Sequence, residues 1–200
     1  NINNGFPNIE VNAITINSNN YLFVGTNGNG IYRSVDNGDN WVQINNGLSF
    51  PYLINCLAVN TSDYIFAGTF LEIYRSTNNG ENWFLCNASI TTLCLAINSA
   101  NHIFAGTYLD GVFRSTDDGN NWIMTNQGLT NNEVLSLVFD LSGYVYAGTW
   151  GSGVFRSISS TTSIENQNLN FPKNTFLSQN YPNPFNPRTS IQYALSNRQF

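Results

Sequence analysis

Four acidic side chains, Glu10, Glu72, Asp110 and Glu133, stand in polar stretches between apolar runs. Two carboxylates held about 5 to 9.5 Å apart are what glycoside hydrolysis requires, so these four are the candidates for that chemistry. Four arginines, Arg33, Arg75, Arg114 and Arg156, each directly precede a serine. An anion-binding cluster would converge from different positions; like-placed arginines are expected to hydrogen-bond neighbouring strands instead. His102 is the single histidine, has no evident Ser or Cys partner, and reads as a surface residue. The three cysteines, Cys56, Cys86 and Cys94, lack CxxC spacing, which indicates neither a zinc site nor a disulfide framework. Asn27-Gly28-Asn29-Gly30 is followed by no helical pattern and reads as a hairpin loop, not a phosphate cradle. Acidic turns such as Asp117-Asp118-Gly119 fall short of the converging oxygens that Ca²⁺ needs, and neither a metal nor a cofactor is expected.

The elements that must position these residues follow from composition and period. Of 200 residues only 10% are charged, yet 42% are hydrophobic and 14% aromatic. Disorder goes with low hydrophobicity and high net charge, so a folded chain is expected, with Asn, Ser and Thr supplying the solvated surface. A net charge of -5 offers no electrostatic footprint for a phosphate backbone and makes nucleic acid an unexpected partner. No apolar run approaches the 18 or so residues of a membrane-spanning helix. The sequence opens at Asn1 without a charged and apolar leader, as a processed or cut chain would.

Self-comparison decides the architecture. Phe23-Val24-Gly25-Thr26, Phe66-Ala67-Gly68-Thr69, Phe104-Ala105-Gly106-Thr107 and Tyr146-Ala147-Gly148-Thr149 repeat at steps of 43, 38 and 42 residues. Tyr32-Arg33-Ser34, Tyr74-Arg75-Ser76, Phe113-Arg114-Ser115 and Phe155-Arg156-Ser157 follow in the same register. Within a unit the pattern is short strands, as in 135–139, 144–149 and 154–157, with fourth strands expected over 41–45, 83–86 and 122–125. Four antiparallel strands per forty residues is the signature of a propeller blade. Ala13, Cys56, Cys94 and Ser136 fall in one column of small residues, suited to innermost strands, so Cys56 and Cys94 are expected to be small core residues, with Cys86 on an outer strand.

Between third and fourth strands a turn motif recurs: Ser34, Asp36, Gly38 and Trp41; Ser76, Asn78, Gly80 and Trp83; Ser115, Asp117, Gly119 and Trp122. Asp or Asn can satisfy the bare amides of a tight turn while glycine takes a positive φ, and the Trp is expected to cover the hairpin. This Ser-x-Asp-x-Gly-x-x-Trp pattern resembles the Asp box of BNR repeats over roughly residues 1–160. The resemblance implies a β-propeller similar to those of sialidases, xyloglucan-cleaving glycosidases, sortilin-type receptors and photosystem assembly factors, with the box structural and away from the catalytic face. The fourth copy, Ser157-Ile158-Ser159-Ser160, departs from it. Residues 1–8 resemble Gln43 to Leu48, the exit of a fourth strand; they are expected to be the tail of an upstream blade, the alternative being closure of the truncated last one.

In this strand order, the loops between second and third strands and those between blades share the face opposite the boxes. Asn27, Phe70, Tyr108 and Trp150 directly follow each Gly-Thr. Aromatic rings there would stack on sugars or peptide side chains, with Glu72 and Asp110 accepting hydrogen bonds; the alternative is that the rings pack between blades. Glu10 and Glu133 occupy equivalent repeat positions, as a scaffold role would have them.

From residue 158 the composition turns to Ser, Thr and Asn, as in a linker. The segment Gln179, Asn180, Tyr181, Pro182, Asn183, Pro184, Phe185, Asn186 and Pro187 is proline-rich and extended, and Ile191, Tyr193 and Leu195 alternate like a strand. These residues resemble the start of the C-terminal sorting domain of type IX secretion cargo of Bacteroidetes-related bacteria, which implies export to the cell surface by that machinery. The expected organisation is an all-β propeller of about four four-stranded antiparallel blades over 1–157, a fragment of a larger propeller, then a linker over 158–173 and part of a sorting domain over 174–200. The expected role is a secreted or surface-displayed binding or scaffold module for glycans or surface ligands. The alternative is the noncatalytic part of a glycoside hydrolase.

Overall fold

The computed structural model describes residues 4–86 and 89–161, within a compact unit spanning Asn1–Ser163. The expected sorting segment, Gln179 to Pro187, lies outside the described residues. The described residues form fifteen strands and no helix. The first unit holds β1 (Val11–Ile16), β2 (Leu22–Gly28), β3 (Ile31–Ser34) and β4 (Val42–Gln43). The second holds β5 (Tyr52–Val59), β6 (Ile65–Thr69), β7 (Ile73–Ser76) and β8 (Phe84–Cys86). The third holds β9 (Thr92–Ile97), β10 (Ile103–Thr107), β11 (Val112–Ser115) and β12 (Ile123–Met124). The fourth has three, β13 (Val134–Phe139), β14 (Val145–Thr149) and β15 (Gly153–Arg156).

Every unit is an antiparallel meander in sequence order. The tail of β2 also pairs with β5, Asn27 opposite Leu53 and Gly28 opposite Tyr52, which joins the first two units edge to edge. The fourth strands are shorter than the sequence pattern predicts, because side chains replace the ladder beyond them. Asn45 Oδ1 accepts from the Ile31 amide at 2.8 Å, and Asn126 Oδ1 from the Val112 amide at 2.6 Å.

The small column holds. Ala13, Cys56, Cys94 and Ser136 pair with Gly25, Gly68, Gly106 and Gly148. A β-carbon on Gly25 would collide with Ile54, one on Gly68 with Thr92 and one on Gly106 with Val134, each in the next unit. The glycines are thus the holes into which the following sheet's β-branched residues fit, and shape complementarity of this kind is what close-packed interiors demand. Around those contacts lie three apolar cores, each shared by neighbouring units. The first joins Phe23, Ile31 and Ile44 to Ile54, Ile65, Ala67, Tyr74 and Trp83. The second joins Phe66, Ile73 and Cys86 to Ile103 and Ala105, and the third joins Phe104 and Val112 to Val134 and Ala147. The cysteines are free thiols. Burial pushes Cys56 upward, Cys94 up to about 12 and Cys86 up to about 11, so all three are neutral core side chains at ordinary pH.

The three turn motifs are superposable hydrogen-bond circuits. Ser34 Oγ accepts from the Gly38 amide at 2.9 Å, and Asp36 Oδ1 accepts from Ser34 Oγ at 2.8 Å and from the Asn40 amide at 2.9 Å. Ser76 with Asn78, and Ser115 with Asp117, repeat the arrangement. Asn37, Asn79 and Asp118 and the glycines after them all take positive φ, which a type I′ turn requires. Hydrogen bonds from Asn40 and Asn121 hold the carboxyls of Asp36 and Asp117 below the usual carboxylate range.

The tryptophans differ from expectation. Trp83 and Trp122 do not merely cover their own hairpins; each enters the apolar core shared with the preceding unit. Trp83 Nε1 also donates to the Ile44 carbonyl of that unit at 2.7 Å. Their large apolar area is better buried between sheets than over a polar turn. Trp41 stacks edge-on to Phe6, and its amide donates to the Asn4 carbonyl, as the Trp83 amide does to Asn46. Asn4 and Asn46 likewise both donate at 2.6 Å to the Asn preceding the Trp, Asn40 and Asn82. Residues 4–6 therefore occupy the place of a fourth-strand exit.

A second repeated turn was not singled out in the sequence. Asn17, Asn60, Asn98 and Asp140, between first and second strands, each accept two amides through Oδ1, from residues i+2 and i+4. Asn17 and Asn60 turn their amide groups to the next unit, where they donate to Asn79 and Asp118 at the tip of its Ser-Asp turn. Arg33 and Arg75 cap the backbone carbonyls of those same two residues at 2.7 and 2.5 Å. Arg33 and Arg75 thus tie the first two sheets to the ones that follow, whereas Arg114 turns to His102 of its own unit.

His102 is half-buried, not a free surface residue. Its Nδ1 lies 3.0 Å from Arg114 Nη2 and 3.1 Å from the Thr161 carbonyl. Burial, then the Arg114 charge, lowers its pKa below the ordinary 6.5.

Two outcomes follow. Replacing Asn60 with Ala removes a turn acceptor and an inter-unit bond and should cost about 2 kcal/mol in denaturant unfolding. Asn60→Asp keeps the turn acceptor but replaces the donor to Asp118 with a second carboxylate, and should cost at least as much near neutral pH. Because His102 resists protonation in the fold, the unfolded chain binds the extra proton; stability should fall as pH drops below about 6.5 and level off above it. His102→Gln should flatten that slope between pH 5 and 7, read from unfolding midpoints.

Candidate functional site

The face opposite the Ser-Asp turns is built from the loops between second and third strands and the segments entering each unit. A buried threonine fixes every one of these loops. Thr26, Thr69, Thr107 and Thr149 donate from Oγ1 to the carbonyls of Gly30, Glu72, Gly111 and Gly153 at 2.8 to 3.0 Å. Three of them also accept loop amides, from Asn29, from Leu71 and Glu72, and from Asp110. The Gly-Thr repeat is therefore both a packing hole and a loop clamp, the second of which the sequence reading treated only as a marker.

On these clamped loops Phe70, Tyr108 and Trp150 stand 54%, 46% and 63% exposed. None belongs to an apolar core between the described units, and Phe70 and Tyr108, which each have a following unit, are not covered by it. Their backbones are held: the Tyr108 amide donates to Thr91 and the Trp150 amide to Glu133, while the Phe70 carbonyl accepts from Thr91 Oγ1. Exposed rings on fixed backbones form a preorganised stacking surface, which lowers the ordering cost of binding.

The sequence reading missed Phe50, Leu71 and Leu109. They are 80%, 56% and 68% exposed. The signal available was that Leu71 and Leu109 follow the aromatic residue directly. Phe50, edge-on to Tyr52, lines a small notch with Pro51, Phe70, Leu71, Glu72 and Tyr74, which holds no more than roughly one water molecule. In that notch Glu72 accepts a short hydrogen bond from the Tyr74 hydroxyl, which in turn accepts from the Ser49 amide at 3.3 Å. Burial and then the Glu72 carboxylate raise the Tyr74 pKa.

The remaining candidate carboxylates are not brought into a common cavity. Glu10 and Glu133 do the same work in their units, their carbonyls accepting from the Asn27 and Trp150 amides at 3.0 Å; Glu10 Oε2 also takes the Asn27 side-chain amide. Asp110 accepts through its carbonyl from Asn126. All four described arginines lie at the opposite end, on third strands, three of them beside the Ser-Asp turns. Among the described residues the loop face thus carries Glu10, Glu72, Asp110 and Glu133 without a basic side chain, and no metal-ligating cluster occurs.

The chain's sequence matches no protein family and no curated protein. Its fold is similar to solved structures. One is an extracellular domain of the one-component system BT4673 from B. thetaiotaomicron, at 22% identity and a TM-score of 0.66 over 77% of this chain and 22% of that one. An ancestral GH74 enzyme aligns at 26% identity and 0.63 over 78% and 23%. YCF48 bound to a D1 peptide aligns at 17% identity and 0.60 over 76% and 52%. The chain spans less than a quarter of the first two and about half of the third. Antiparallel four-stranded units in series, with these likenesses, define an all-β fold of the β-propeller type.

Proposed function

We propose that the chain is a binding or scaffold module of a secreted or surface-displayed β-propeller of a Gram-negative bacterium, carrying a glycan or a surface protein on its aromatic loop face. The observation that carries this reading is the row of exposed rings Phe70, Tyr108 and Trp150 on clamped loops, one in each of the last three units. Aromatic faces stack on the apolar faces of sugar rings, and Glu72 and Asp110 are placed to accept hydroxyl hydrogen bonds. Carboxylates without a described cation on that face disfavour sialic acids and uronates, so neutral glycans are the preferred carbohydrate class. The peptide-bound YCF48 and the extracellular domain among the similar structures support a protein ligand and an external location by analogy.

The three Ser-Asp turns are read as Asp boxes of BNR repeats with a structural role, in keeping with their closed hydrogen-bond circuits. A glycoside hydrolase fragment is the second reading, favoured by the likeness to GH74 enzymes, including a xyloglucanase from Xanthomonas campestris. Catalytic residues would then lie elsewhere in such an enzyme, since Glu10 and Glu133 serve as repeated scaffold positions. The segment Gln179 to Pro187 is read as a type IX sorting signal.

Glycan-array binding separates these readings. The parent chain should bind neutral oligosaccharides in preference to sialylated ones, and Tyr108→Ala with Trp150→Ala should weaken binding roughly tenfold or more, about 1.4 kcal/mol, with melting unchanged. Binding untouched by the double substitution would remove the platform. For export, deleting residues 176–200 in cells should leave the protein in the periplasm; undiminished secretion would overturn the sorting assignment.

A further inference from the structure

The three junctions between units share one apolar arrangement. The Arg and Asn bridges of the first two are replaced near the third by Arg114 on His102 and Asn98 on Thr161. Among the described residues both ends of the array expose one half of that apolar arrangement. At the interior junctions, Ile54, Thr92 and Val134 of the first strands seat on Gly25, Gly68 and Gly106 of the preceding unit, and their exposures are 1%, 0% and 0%. The residue in this register in the first unit is Val11, paired with Thr26 as Ile54 is with Thr69. It is 48% exposed, with Ile14 and Ile16 beside it at 66% and 52%. At the other end, a β-carbon on Gly148 would meet only Ser136 of its own sheet. Val154, in register with the buried Ile31, Ile73 and Val112, is 74% exposed. One end presents the knob and the other presents the hole.

The polar parts of the junction are complementary as well. Arg33 and Arg75 reach Asn79 and Asp118 of the next unit; Arg156 holds the equivalent position, over the Tyr144 ring, and the corresponding turn residue at the free end is Asn37. Where Asn17 and Asn60 donate across the junction, the fourth unit has Asp140, an acceptor suited to the Asn37 amide group. The chain also enters at Asn4–Phe6 from the place of a preceding fourth strand, the strand that β15 lacks among the described residues.

We propose that the occupant of these end faces is a second copy of this chain, joined head to tail: Val11, Ile14 and Ile16 of each copy pack on Gly148 and Val154 of the other. The contact is heterologous, and closing it after two copies generates a ring of eight units by two-fold symmetry. Eight is within the usual range of four to eight blades.

Sedimentation velocity of the full 200-residue chain should give twice the 22.2 kDa monomer mass. Val11→Arg and Val154→Arg place an unpaired charge in both junctions and should each weaken association at least about 100-fold. Because both sites are exposed in one copy, melting of the separated chains should be unchanged. Mixing the two variants restores one unaltered junction and should recover a weaker dimer. A monomer at all concentrations overturns the proposal, and so does a dimer sensitive to only one of the two substitutions, which is the result for a face-to-face pair, a different segment on the end face or a blade supplied by a longer chain.

Discussion

The absence of a side chain at Gly25, Gly68 and Gly106 sets how near one sheet can come to the next. Each glycine faces a small first-strand residue of its own sheet and receives Ile54, Thr92 or Val134 from the following one. A methyl group there would hold the sheets apart and open voids around the shared Ile, Phe and Trp side chains, which interiors tolerate poorly. Three of the four apolar cores lie between units, and the fourth, around Val24, Tyr32 and Trp41, belongs to the first unit. One unit alone therefore has little to bury, and the stability of each depends on its neighbours.

The polar half of the junction explains the unusual composition. Asn17 and Asn60 close their own turns with Oδ1 and reach the next sheet with Nδ2, so one uncharged side chain satisfies donors and acceptors on both sides of a junction. A lysine or glutamate offers only donors or only acceptors and carries a desolvation cost at a half-buried site. Repetition of such junctions needs many Asn, Ser and Thr and few charges. Two of the arginines, Arg33 and Arg75, cap carbonyls of residues at positive φ in the following sheet.

With its turns and strands committed to holding sheets together, the molecule has one face left for variation. The threonine clamp fixes each loop irrespective of what the loop displays, which lets Asn27, Phe70, Tyr108 and Trp150 differ at one backbone position. The second unit departs furthest: its loop is one residue shorter, Glu72 replaces the glycine of the other units, and its carboxylate meets Tyr74 in the notch beside Phe50. Differences of that kind on a repeated frame are where selectivity for a ligand would be written.

Much of the frame was legible because it repeats. The Gly-Thr and Arg-Ser registers gave the units, the column Ala13, Cys56, Cys94 and Ser136 gave the pairing of first with second strands, and the Asn-Gly pairs gave positive-φ turns. Asn17, Asn60 and Asn98 recur just as regularly, but a single Asn in a polar turn carries no local sign that it is buried. The placement of Trp83 across the junction, the half-buried His102 and the exposure of Phe70, Tyr108 and Trp150 could not be read from order along the chain. A side chain's neighbours there come from residues roughly forty positions away, and only the approach of one sheet to the next determines whether a ring is covered or left to solvent. Spacing and residue type determined the unit; the tertiary structure decided which surfaces the units spend on one another and which remain for a partner.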